Sequence, residues 1–268
     1  MTIEKLAHEA DVITVFGISD DDIEVEKGLI KQFAEFGVDG LVILLAHDEK
    51  FNYAILQLIL DGFPVVLIDR FLKEISCPNV ISKNFEAANR GMEYLYSLGH
   101  RKIGIASRPI GLTSTLQERV NGIMNAATAS GYKINREWWL TNMANLDKKK
   151  DFNLLQDLKE LVKEYLLQNK ELTAIFCLEY FVLQIVEAAA YDLGIRIPED
   201  LSLLCFDSPE RIINTSRSVT HMRQNEKAIA NTSFSLIMKM IQGEPIEYRH
   251  EIDIDLVVGN TTMAIIDD

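Results

Sequence analysis

One carboxylate stands where a ligand could use it. The run Leu201-Ser202-Leu203-Leu204-Cys205-Phe206 is too short for a helix and lies between turn signals, so it reads as a buried strand. It ends on Asp207. In open α/β sheets the ligand crevice lies beyond the carboxyl ends of the strands, where a carboxylate can accept hydrogen bonds from hydroxyls or amines. The alternative is a loop-capping aspartate that opens a turn at Ser208-Pro209. Enzyme chemistry is not signalled. The chain has no G-x-S-x-G, no P-loop and no metal-ligand spacing, and its five histidines have no clustered partners. The expectation is therefore a binding protein with no catalytic residue, cofactor or metal.

A strand that ends in a ligand-facing acid needs a sheet around it, and the chain supplies one. Val12–Phe16, Leu41–Leu45, Val65–Ile68, Val80–Ser82, Ile103–Ala106 and Ala174–Cys177 read as strands, and Trp138–Leu140 as a further candidate. Helical spacing fills the intervals: Ile23–Phe36, Phe51–Leu60, Phe85–Leu98, Gln117–Ser130, Leu154–Asn169, Phe181–Leu193 and Glu226–Ile241. The lysines 148–150 mark a solvated turn, and Ile252–Val258 alternates like a half-exposed edge strand. Strands separated by helices of this length make βαβ units and parallel sheets.

At 268 residues the chain exceeds the usual single-domain length, so two lobes are expected. A net charge of −13 argues against a nucleic-acid surface on this chain and is also what a merely soluble surface would carry. Cys77, Cys177 and Cys205 are scattered and odd in number, which suggests no disulfide framework and a reducing, cytoplasmic setting. The start MTIEKLAHEADV has no signal-peptide pattern, and no apolar run reaches membrane-spanning length, so no membrane partner is expected.

Six local patterns, in order, carry a resemblance: Leu67-Ile68-Asp69-Arg70, Leu98-Gly99-His100-Arg101-Lys102-Ile103, Glu118-Arg119-Val120-Asn121-Gly122, Ile197-Pro198-Glu199-Asp200 with Phe206-Asp207, Val219-Thr220-His221-Met222-Arg223-Gln224, and Leu256-Val257-Val258. Together they resemble the effector-binding domains of LacI/GalR-type transcriptional regulators, which are related to sugar-binding proteins of the periplasmic type. The resemblance covers nearly the whole chain. It implies an α/β fold of two doubly wound parallel-sheet lobes joined by three crossings, with the effector between the lobes. The first lobe would be residues 1–82 plus 225–243, and the second 83–224 plus 244–268. It further implies a ligand-sensing and dimerisation domain that binds a small polar effector, a sugar or sugar derivative, and that acts as a homodimer. DNA would be reached only through an N-terminal headpiece outside this sequence. The alternative is a solute-binding protein of a sugar transport system.

The implied site follows from sugar chemistry. A guanidinium donates to two vicinal oxygens, and a carboxylate accepts from two. Arg119 and Asp207 would serve from one lobe, Asp69 and Arg70 from the other, with Gln224 at a crossing able to donate and accept. With no ligand bound, Arg119 and Asp207 would face water. Glu179 stands where the family usually has an N-D pair, now Glu179-Tyr180. Phe16, Phe71 and Tyr180 sit near strand ends and could stack on a sugar face or simply pack in the core. There are other departures. The family's first strand, the neighbour of Val12–Phe16, is not in this sequence. Lys83-Asn84 replaces a D-N pair, and Gly259 replaces the basic residue after the closing strand. These changes leave the effector's identity open.

Overall fold

A computed structural model describes residues 2–47, 52–72, 74–144, 152–207 and 218–265. The turns expected at lysines 148–150 and at Ser208-Pro209 lie outside the described residues, as does Phe51. The chain divides into two compact units, residues 1–83, 112–115 and 225–253, and residues 84–111, 116–224 and 254–268. The last boundary between the units therefore falls between Asp253 and Ile254, whereas the resemblance placed it near Gly243-Glu244. The reason is a strand at Arg249–Ile252, which pairs with the first unit's sheet.

The first unit opens with α1 (Thr2–Glu9) and continues through α2 (Ile23–Phe36), β1 (Leu41–Leu44), α3 (Tyr53–Leu60), β2 (Val65–Ile68) and β3 (Asn79–Ser82). Asp22 caps α2 by accepting from the Glu24 and Val25 N–H groups, and Gly37 ends it in a left-handed turn. The four-stranded sheet is all parallel, in the order β1-β2-β3 and then Arg249–Ile252. Alternate residues face opposite layers. Leu41, Ile43, Val65 and Leu67 pack with Ile30 and Ile55 of α2 and α3. Val66 and Val80 pack with Leu236 and Ile237 of the helix that follows residue 225. Burial on both faces explains the uninterrupted apolar strands.

Val12–Phe16 is not a strand. A strand needs a paired neighbour, and β1 is an edge of the sheet. The segment instead leans on α2 at Gly17, where an added Cβ would stand 2.8 Å from Leu29. Ile13 and Phe16 are left 91% and 65% exposed.

The second unit runs α4 (Asn84–Ser97), β4 (Ile103–Ala106), α5 (Ser114–Ala129), β5 (Trp139–Leu140), α6 (Phe152–Gln168), β6 (Ala174–Cys177), α7 (Tyr180–Asp192), β7 (Ser202–Phe206) and β8 (Thr220–Gln224). The chain then supplies α8 (Glu226–Ile241) and β9 (Arg249–Ile252) to the first unit, and β10 (Ile254–Val257) to the second. The six-stranded sheet has the order β10-β8-β7-β6-β4-β5 and is parallel except for β10, which runs antiparallel to β8. Ile175, Cys177, Leu203 and Cys205 face α6 and α7, and Phe176, Leu204 and Phe206 face α4 and α5. Gly122 lets α5 come close to α4, because a Cβ there would run into the carbonyl oxygen of Phe85. His100, in the turn before β4, is buried between Thr173 and Met263, at 2.9 and 3.1 Å.

Candidate functional site

β4 is the first strand of the second sheet in chain order. β5 lies on one side of it and β6 on the other. Connections leaving β4 and β6 therefore turn to opposite sides, and the carboxyl ends of these two strands are where open α/β sheets bind ligands. Arg108 follows β4 by two residues and Glu179 follows β6 by two. Their side chains meet as a fork: Arg108 Nε donates to Glu179 Oε2 at 3.0 Å, and Nη2 approaches Oε1 at 2.6 Å. Each side chain is about one-fifth exposed.

The neighbouring strands bring the other groups. Asp207 follows β7 with φ at +60°, a left-handed backbone that aspartate tolerates. Its N–H donates to Met222 O, its Oδ2 accepts from Gln224 Nε2 at 2.7 Å, and its Oδ1 accepts from the Gln224 N–H at 3.3 Å. Gln224 is the last residue of β8. Arg119, in the second turn of α5, donates from Nε to Asn84 Oδ1 at 2.8 Å and from Nη1 to Leu178 O at 2.6 Å. Its guanidinium lies 3.9 Å from the Phe206 ring centroid. Arg119, Glu179, Asp207 and Gln224 thus come together at one end of one sheet, as two donor–acceptor pairs and a stacked guanidinium.

The expectation that Arg119 faces water without ligand is corrected: the residue is 5% exposed. Asn84 and the carbonyl that begins the β6–α7 connection hold it, so it fixes the floor of the crevice. Arg108 was not among the expected site residues. Applying the strand-end rule to β4 as it was applied to β7 would have found it. Position 259 has no room for the basic side chain expected by resemblance, because a Cβ there would meet Ser218 O.

In the first unit Asp69 and Arg70 follow β2. Asp69 has φ at +63°, and the Arg70 N–H closes a tight turn onto Ile68 O at 2.7 Å. Arg70 is buried and pairs with Asp21 at 3.2 Å, not with its neighbour Asp69 in a surface pair. Its Nη1 also donates to Leu45 O and Ala46 O, both at 2.7 Å. Buried Glu26 holds the same loop from the other side, accepting from the Ala46 N–H at 2.8 Å and from Asn52 Nδ2 at 2.7 Å. Arg70 therefore shapes the loop after β1. Its Nε is buried without a partner, a donor still unsatisfied. Among the three aromatic candidates, Tyr180 packs on the core, Phe71 lies under Arg249 at 4.8 Å, and Phe16 is exposed.

Residues 92–262 match the periplasmic binding protein-like domain. The chain belongs to that family. Its curated relatives include a probable HTH-type transcriptional regulator, EndR, of Paenibacillus polymyxa, 26% identical over 235 residues. That alignment takes in 87% of this chain and 65% of the relative, so the chain spans about two thirds of the relative's length. The HTH-type transcriptional repressor PurR of Escherichia coli is 23% identical over 240 residues, 89% of this chain and 67% of the repressor. Among solved structures, the transcription regulator CcpA of Lactococcus lactis superposes with a TM-score of 0.83 at 20% identity, covering 97% of this chain and 92% of the other. A LacI family transcriptional regulator from Enterococcus faecium, solved with bound ribose, gives 0.79 at 20% identity, covering 99% and 92%. These likenesses establish the periplasmic-binding-protein-like fold, and the relatives that share it here are transcriptional regulators. Among the described residues no helix is long and apolar enough to cross a membrane.

Proposed function

We propose that this chain is the effector-sensing and dimerisation part of a cytoplasmic transcriptional regulator. It would take a small polar effector, a sugar or sugar derivative, at the carboxyl end of the second unit's sheet. The observation that supports this most is the pair Arg108 and Glu179 at the switch point between β4 and β6, with Asp207 and Gln224 paired at the same ends of β7 and β8 and Arg119 stacked on Phe206. Such a set offers both donors and acceptors, as vicinal hydroxyls require. Asp69 belongs to the same proposal as the strand-end acid of the first unit, next to Arg70, which holds the loop after β1. Binding would favour one arrangement of the protein over another and so change how a DNA-binding headpiece engages its operator. No enzymatic activity is part of this function, since the relatives are regulators. Self-association would use the outer face of α3, where Tyr53 and Leu60 are exposed while Leu56 packs inward. A thermal-shift screen of pentoses, hexoses, their phosphates and nucleobases tests the effector assignment. A sugar that raises the melting temperature supports it, because a ligand bound to the native state stabilises that state. A response to nucleobases alone refutes the sugar class.

A further inference from the structure

Arg108 and Glu179 have a consequence for which ligands can enter. Glu179 is the N-cap of α7, with β-region backbone, yet its carboxylate makes no capping bond. It turns to Arg108 and fills that guanidinium's fork. A guanidinium beside the positive end of a 13-residue helix is an anion site in the making. Here the chain supplies its own anion.

We propose that Glu179 determines specificity by exclusion. It occupies Arg108 and sets a negative charge beside the start of α7, so the site selects uncharged polyols and rejects sugar phosphates and sugar acids. The ligand class rests on the effector reading above; the occupied guanidinium does not. An incoming phosphate must compete with a carboxylate held at two points. If it wins, Glu179 is left partly buried without its partner and close to a second negative charge. A neutral hydroxyl pays neither cost, because it can donate to Glu179 or accept from Arg108 while the pair stays intact.

The test is calorimetric titration of inorganic phosphate and ribose 5-phosphate, with neutral pentoses and hexoses alongside. The proteins are the wild type, Glu179→Gln, and Glu179→Gln combined with Arg108→Met. Circular dichroism checks that each is folded. Glu179→Gln is expected to bind the phosphates at least about tenfold tighter than the wild type, and adding Arg108→Met should remove the gain. A folded Glu179→Gln protein with no gain overturns the proposal. If that variant does not fold, the wild type decides: phosphates bound as tightly as neutral sugars overturn the proposal, and weaker binding of phosphates supports it. The two readings fail differently. If the gain and its loss are seen but no protein binds a neutral sugar, exclusion stands and the sugar assignment falls. If the wild type binds a neutral sugar and Glu179→Gln gains nothing, the assignment stands and exclusion falls.

Discussion

Replacing Arg119 by methionine separates a residue that holds the crevice together from one that waits in solvent for a ligand. Methionine keeps an unbranched chain able to lie on the Phe206 ring but removes the guanidinium. The bonds from Arg119 to Asn84 Oδ1 and Leu178 O, at 2.8 and 2.6 Å and both to fully buried residues, are then lost. Removing a donor from a buried acceptor costs about 1–3 kcal/mol each. Losing the cation over the ring adds about 1 kcal/mol, partly offset by a sulfur–aromatic contact. The sum is roughly 3–5 kcal/mol. For a unit of about 150 residues, each kcal/mol moves the melting temperature by about 2–4 °C. Differential scanning calorimetry without ligand should show a fall on the order of 10 °C. Arg119→Lys should recover less than half of it, because a single ammonium cannot serve two acceptors in the fork geometry. A fall below about 2 °C for Arg119→Met would show that these bonds hold nothing in place, and the account of the crevice floor would be wrong.

Three further perturbations have definite outcomes. Asp207→Asn keeps the shape and an acceptor for Gln224, so the ligand-free melting temperature should stay within about 2 °C, while affinity for a bound sugar falls roughly tens- to thousands-fold by calorimetric titration. His100 should make stability pH-dependent. Burial, helped by the charge of Arg101 and opposed by the bond to Met263 O, holds its pKa below the ordinary 6.5. The unfolded chain therefore takes up this proton first, so stability is full above pH 6.5 and declines as pH falls from there toward the folded value. The stabilisation from exposed Asp200, whose pKa Arg196 lowers to about 2, is present above about pH 4 and is lost only below it, so it does not affect this window. A melting temperature that falls from pH 7.5 to pH 5.5 in the wild type, and falls less in His100→Gln, checks this. Tyr53→Lys with Leu60→Lys should convert a dimer to monomer in sedimentation velocity while leaving the far-UV circular dichroism unchanged, since both side chains are more than 80% exposed.

The strands and helices were legible because their apolar spacing is local. The end of β7 at Asp207 was visible for the same reason: an apolar run stops on an acid. Pairings across long sequence separations were not legible. Arg70 finds Asp21 across 49 residues, and Arg108 finds Glu179 across 71. Nothing in the local sequence marks either partner. Val12–Phe16 misled because β-branched composition reports a fit to a sheet, not the presence of a neighbouring strand. Arg119 looked like a solvent-facing helix residue because the Phe206 ring beneath it comes from a strand 87 residues later. The last boundary between the units was hidden for a similar reason. Arg249–Ile252 carries three charged or ionisable side chains and only one apolar one, yet it takes an edge position beside β3, where polar side chains are tolerated.

The location of the effector site is tested most directly by titrating the ¹⁵N-labelled chain with neutral pentoses and hexoses and following its backbone amides. A sugar bound as proposed should move the resonances of Ser107, Arg108, Leu178, Glu179, Asp207 and Gln224 together, saturating with one dissociation constant. If every sugar leaves these amides in place, or moves a group at another part of the chain while these stay still, the site at the carboxyl ends of β4, β6, β7 and β8 is contradicted.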